Sequence, residues 1–250
     1  QRLYADIVVW RYGLDAPRVL DMEQMRRGGC VAVAENYLQG MHPSPETMDD
    51  TRVVALARTF ARLHQVGRPA HGPIGEPDFK DFAADSLGRV FNRFHSISRW
   101  APAAITPDAR RQIRGWFERQ APSVSPSNGF ALIHDKPNRG NILWVAEEKR
   151  FAILDLATLQ FGALAKDLVQ VCHEVLGNEQ PLVESFLDAY FGARGHASAR
   201  EDFERQRAFW HAYYHLSQCA INCRRLHKDA TAQNPESSRG LKAVNHWRNV

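Results

Sequence analysis

Hydrophobic positions along the chain follow two different spacings. Val53, Leu56, Phe60 and Leu63 recur three or four residues apart, the spacing of one face of an amphipathic helix. Ser44-Pro45-Glu46 precedes them with a capping hydroxyl and a proline, so this helix is predicted to start there and to end at Gly67. A Pro- and Gly-rich stretch over 68–78 reads as a loop. Phe82, Val90, Phe91 and Phe94 then mark a second helix, and Thr106-Pro107-Asp108 caps a third that carries Ile113, Trp116 and Phe117.

The period then changes. Phe130-Ala-Leu-Ile, Asn141-Ile-Leu-Trp-Val and Phe151-Ala-Ile-Leu-Asp are short apolar runs, read as three strands around a loop. Only Ala146-Glu-Glu-Lys-Arg150 separates the last two, a polar connection of hairpin length, which predicts Asn141 and Asp155 as spatial neighbours. Helical spacing returns at Asp167 with Leu168, Val171, Cys172 and Val175, continues from Leu182 to Phe191, and resumes from about Arg200 to Lys228. Before Gly40 the pattern reads as a helix within Leu3–Tyr12, a strand from Pro17, a turn at Arg27-Gly28-Gly29 and a strand from Cys30 to Ala34. The sum is an α+β fold, mostly helical.

With 44% hydrophobic positions in 250 residues, the chain can bury a sizeable core, which excludes a disordered protein. The net charge is +4, but Lys and Arg are scattered, so nucleic acid is not an expected partner. No apolar run reaches the roughly 18 residues of a membrane span, and the opening QRLYADIVVWRYGL lacks a signal-peptide pattern. A soluble, cytoplasmic protein is expected. Four cysteines are too few for a disulfide framework at this length. Nothing in the sequence speaks to oligomeric state.

Candidate chemistry is concentrated in Ile133-His-Asp-Lys-Pro-Asn-Arg-Gly-Asn141, with Asp155 following beyond the hairpin. The amide oxygen of Asn141 and the carboxylate of Asp155 suit a hard cation such as Mg2+, which prefers oxygen ligands and retains room for phosphates. A further carboxylate nearby can orient and deprotonate a hydroxyl nucleophile. These are the parts that phosphoryl transfer requires.

The strings IHDKPNRGNIL and FAILDLATLQFGALAKDL resemble the catalytic loop H-x-D-x-x-x-x-N and the I-x-D strand of the aminoglycoside phosphotransferase and choline kinase group of protein-kinase-like enzymes. VAVAENYLQG is similar to that group's hinge strand and linker, and VVALARTFARLHQ to the first long helix of its C-lobe. Gly162 and Asp167-Leu168 match its G-x-x-x-x-D-L segment, so the likeness covers roughly residues 1–170. The resemblance implies a protein-kinase-like fold. Its partial, truncated N-lobe and hinge would occupy 1–40, and 41–250 would form a helical C-lobe with a small catalytic-loop hairpin. It implies ATP and Mg2+ as cofactors, with Asn141 and Asp155 as metal ligands and the backbone from Glu35 to Tyr37 as the adenine contact. His134 would be a structural loop residue, and Asp167 would hold the loops in place.

Two departures qualify that picture. His134 and Asn141 keep the group's spacing, yet Lys136 stands where the catalytic aspartate is expected and Asp135 lies one residue early. Either the loop is rearranged so that Asp135 reaches the acceptor hydroxyl with Lys136 near the γ-phosphate, or the base is missing and the protein is a pseudokinase that binds nucleotide or a partner. The intact metal pair favours the first. No glycine-rich phosphate loop or phosphate-pairing lysine occurs, and both are expected to precede Gln1. The acceptor is expected to be a small molecule bound among the helices after residue 68. A sugar or amino alcohol fits a net basic chain better than a polycationic aminoglycoside.

A rival constellation, His211, His215, Cys219, Cys223 and His227, recurs every four residues late in the chain. Each such step turns a helix by about 40°, so the five cannot converge on one ion. Trp210, Tyr213, Tyr214 and Leu216 among them predict a packed helix instead. Arg224, Arg225, His227 and Lys228 read as basic complements to its C-terminus, and Cys30 and Cys172 as apolar filler.

Overall fold

The computed structural model of the chain describes residues 13–14, 16–24, 31–195 and 197–231. The expected helix within Leu3–Tyr12, the turn at Arg27-Gly28-Gly29 and Cys30 lie outside the described residues. The chain forms two compact units, one of residues 1–78 and 126–201, the other of 79–125 and 202–250.

The first unit opens with β1 (Val19–Gln24) and β2 (Val31–Glu35), paired antiparallel with Val19 opposite Glu35 and an irregularity between Val19 and Asp21. Ser44 does cap a turn, but only a single 3-10 turn over Pro45–Thr47, closed reciprocally by the Thr47 side chain. Helix α1 (Asp50–Gln65) starts later than predicted, because the Asp49 carboxylate accepts the Arg52 N–H at 2.8 Å and is the true N-cap. Val53, Leu56, Phe60 and Leu63 are fully buried on one face, each worth roughly 1.5–3 kcal/mol relative to exposure.

The loop over 68–78 is more ordered than its composition suggests. It contains two very short strands, β3 (Gly67–Arg68) and β4 (Gly72–Pro73). The Arg68 guanidinium donates to the carbonyls of Ala70, His71, Gly72, Pro73 and Ile74 at 2.8–3.0 Å, so one side chain reinforces a turn that main-chain bonds close only in part. These strands flank β5 (Phe130–Ile133) and β8 (Gln160–Gly162) in an antiparallel sheet of order β3-β5-β8-β4. Gly162 lies close against β5, where a Cβ would sit 2.6 Å from Ile133 Cδ1 and make that side chain shift.

β6 (Ile142–Val145) and β7 (Arg150–Ile153) form the expected hairpin, with Ile142 opposite Ile153 and Val145 opposite Arg150. The segment after β2 runs beside it. Met41 and Trp144 exchange both main-chain hydrogen bonds, at 2.8 and 3.0 Å, and Leu38 packs on the cluster of Leu143, Val145 and Ala152. Helices α4 (Leu164–Glu174) and α5 (Gln180–Arg194) complete the unit, and α6 (Ala197–Thr231) begins in it.

The second unit holds α2 (Phe82–Trp100), α3 (Pro107–Gln120) and most of α6. Asp81 caps α2 and Thr106 caps α3, the latter as predicted. Its core is aromatic, with Phe117 edge-on to Phe209 at 5.2 Å and Phe82 tilted against Trp210 at 6.2 Å. His215, Cys219 and Cys223 are buried in α6. The hydrogen bond to Cys223, and then burial, push the Cys219 thiol pKa up. Among the described residues no helix is long and apolar enough to cross a membrane.

Candidate active site

The loop between β5 and β6 carries the candidate residues, and Asp167 holds it. Asp167 is fully buried in the first turn of α4, and its two carboxylate oxygens accept the main-chain N–H groups of His134 at 2.6 Å and Asp135 at 2.9 Å. A buried carboxylate requires such donors, and two adjacent main-chain N–H groups supply them. Asp167 therefore fastens the loop, as the resemblance implied.

A second layer lies behind it. His64, at the end of α1, meets Asp167 through Nε2 at 3.4 Å and Tyr190 through Nδ1 at 2.7 Å. Burial pushes the His64 pKa down, with the Asp167 bond opposing. The ring is therefore the neutral tautomer, in which Nε2–H donates to Asp167 and Nδ1 accepts from the Tyr190 hydroxyl. Burial also raises the Tyr190 hydroxyl pKa, which keeps it a donor.

His134, wholly buried, connects the loop to the hairpin. Its Nε2–H donates to the Leu154 carbonyl at 2.7 Å, directly before Asp155. Thr158 donates its hydroxyl to the His134 carbonyl at 2.8 Å. Two left-handed residues result, Asp135 at φ 72° and Asp155 at φ 53°. Aspartate tolerates that region better than most side chains, and the surrounding hydrogen bonds hold it there.

At the open end of the hairpin, the Leu154 N–H donates to the Asn141 carbonyl at 2.8 Å, which brings Asn141 and Asp155 together as the connection length predicted. The Asn141 Nδ2 donates to the Lys136 carbonyl at 3.0 Å, which turns its Oδ1 away as an acceptor. Among the described residues nothing bonds that Oδ1 or the exposed Asp155 carboxylate. An amide oxygen and a carboxylate without protein donors are ligands of the type that Mg2+ takes.

The other candidates fall in two places. Lys136 is exposed on the loop, while the Asp135 carboxylate forms an ion pair with Lys166 of α4. Glu35 ends β2 and Tyr37 is exposed in the segment leading to Met41. The sequence reading missed Lys166, Thr158, His64 and Tyr190. The signal for His64 was a polar residue beside Leu63 on the apolar face of α1; for Lys166 it was only adjacency to Asp167.

This combination of loop, hairpin and anchoring aspartate agrees with a family model, the phosphotransferase enzyme family, which matches residues 5–232. The chain belongs to that family. It is thus a phosphotransferase-family enzyme with a protein-kinase-like fold. A choline/ethanolamine kinase family protein from Mesorhizobium loti superimposes with a TM-score of 0.65 at 17% identity, over 98% of this chain and 76% of that one. Choline kinase from Streptococcus pneumoniae gives a TM-score of 0.65 at 14% identity, over 99% and 78% of the two chains. The aminoglycoside phosphotransferase APH(2″)-IIia, in its GDP and kanamycin complex, gives a TM-score of 0.66 at 14% identity, over 99% and 82%. At these identities the likeness establishes the fold. A search of curated proteins finds no match.

Proposed function

We propose that this phosphotransferase moves the γ-phosphate of ATP to a hydroxyl of a small acceptor, a sugar, amino alcohol or aminoglycoside-like molecule. Asn141 and Asp155 would hold Mg2+, which would supply positive charge to offset that of the nucleotide phosphates during transfer. Asp135 receives the proton of the acceptor hydroxyl, whose oxygen bonds to the γ-phosphorus as the bond to the β–γ bridging oxygen breaks and ADP leaves. Lys136, exposed beside it, faces the γ-phosphate. The main chain from Glu35 to Tyr37 contacts adenine, with 1–40 as N-lobe and hinge residues and 41–250 as C-lobe. ATP as donor fits a cytoplasmic enzyme.

The observation that supports this reading most is the pairing of Asn141 with the residues at Asp155, through the 2.8 Å bond from the Leu154 N–H. The test is transfer from ATP or GTP, with and without Mg2+, to choline, ethanolamine, kanamycin and hexoses. Mg2+-dependent transfer to one acceptor supports the reading, and its loss in Asp135→Ala identifies the base. Full turnover in Asp135→Ala removes Asp135 from its role.

A second reading draws on Lys136 at the expected base position and on the ion pair that engages Asp135. It is a nucleotide- or partner-binding protein with little turnover. A thermal shift with Mg-ATP and no phosphate consumption across the panel would select it.

A further inference from the structure

We infer that Lys166 is a positioning residue for the Asp135 carboxylate, and that the two side chains act as one unit in phosphoryl transfer. This rests on the reading of Asp135 as the group that receives the acceptor proton.

Three bonds hold the main chain at the start of the loop. Asp167 takes the N–H groups of His134 and Asp135, and Thr158 takes the His134 carbonyl. With the backbone so held, Asp135 adopts its left-handed φ of 72°, and its side chain meets the first turn of α4. There Lys166 Nζ bonds Asp135 Oδ1. Lys166 and Asp167 are consecutive, so neighbouring residues of one helical turn grip Asp135 twice, Lys166 by its carboxylate and Asp167 by its main chain.

The surroundings separate this pair from the surface ion pairs elsewhere in the chain. The Lys166 and Asp135 side chains are 11% and 18% exposed, whereas Arg111 and Asp108 are 72% and 75% exposed. A pair largely removed from water is weakly screened and geometrically restricted. Lys166 thus sets a positive charge against the Asp135 carboxylate, while the Asp167 carboxylate is occupied by main-chain N–H groups. A general base is useful only when held within hydrogen-bond reach of its proton, and misplacement by about 1 Å costs roughly 10²-fold in rate.

The test is a double-mutant cycle in the full chain, with Lys166→Met, Asp135→Asn, the double variant, and Lys166→Arg. The rate is Mg-ATP consumption, measured with choline, kanamycin, glucose or water as acceptor. Lys166→Met is expected to lower kcat on the order of 10²-fold with the KM for ATP unchanged. Lys166→Arg should recover most of the loss, and Lys166→Met should add nothing in the Asp135→Asn background. Thermal midpoints accompany each variant, and Lys166→Gln replaces the methionine if that protein does not fold.

Additive losses, or a raised KM for ATP with kcat unchanged, would overturn the inference by showing that Lys166 acts on nucleotide directly. Wild-type kcat in Lys166→Met while Asp135→Asn is inactive would overturn it alone and leave the base reading intact. Full turnover in Asp135→Asn, or no consumption with any acceptor, would overturn both.

Discussion

Asp167 binds Asp135 through the main chain, accepting its N–H at 2.9 Å, while the Asp135 carboxylate turns to Lys166. The two aspartates thus have separate duties: one fixes a backbone, the other presents an acid group. The buried one is the more costly to lose. Asp167→Ala leaves two main-chain N–H groups unpaired, and is expected to destabilise the protein by about 3 kcal/mol. Thermal melting checks this, with an expected fall of roughly 6–12 °C.

The neutral His64 makes stability depend on pH. Its folded pKa lies below the unfolded value of 6.5, so below that value the unfolded chain binds a proton that the folded chain refuses. Stability from this group is complete above pH 6.5 and declines as pH falls, by at most about 1.4 kcal/mol per unit. His64→Gln should flatten the acid limb of a plot of Tm against pH. An unchanged slope would show that other groups dominate it.

Asp155 is exposed and left-handed, which makes the choice of substitution important. Asparagine tolerates that backbone but supplies no charge. Asp155→Asn is therefore expected to keep the wild-type Tm, raise the Mg2+ concentration needed for half-maximal transfer, and lower kcat by about 10²-fold or more. Mg2+ titration at saturating nucleotide measures it.

Gly40 leaves no room for a side chain, since a Cβ there would lie 2.4 Å from the Trp144 carbonyl oxygen. Gly40→Ala must push the segment off β6, at a cost of about 1–3 kcal/mol. Faster amide hydrogen exchange at Met41 and Trp144 should report the separation, because those two N–H groups close the contact.

Much of this was legible in the sequence because local signals agreed with the fold. The polar connection from Ala146 to Arg150 announced the hairpin, and with it the meeting of Asn141 and Asp155. The start of α1 was misplaced because Ser44-Pro45 and Asp49 are both competent caps, and the sequence does not say which one the longer helix uses. The Arg68 turn was hidden because its order comes in part from one side chain reaching five carbonyls. The Asp135–Lys166 pair was hidden for a different reason. It depends on a left-handed φ at an aspartate, which no glycine or asparagine advertises, and on a partner 31 residues away.

The reciprocal bonds between Met41 and Trp144 turn strand β6 into a ruler. Trp144 stands three residues from Asn141, about 10 Å along an extended strand. One inflexible span thus fixes how far the segment following Tyr37 sits from Asn141. If a nucleotide's base rests at one end and its phosphates at the other, its reach is gauged by a single length of backbone, and lengthening that strand by even one residue would put the two ends out of step.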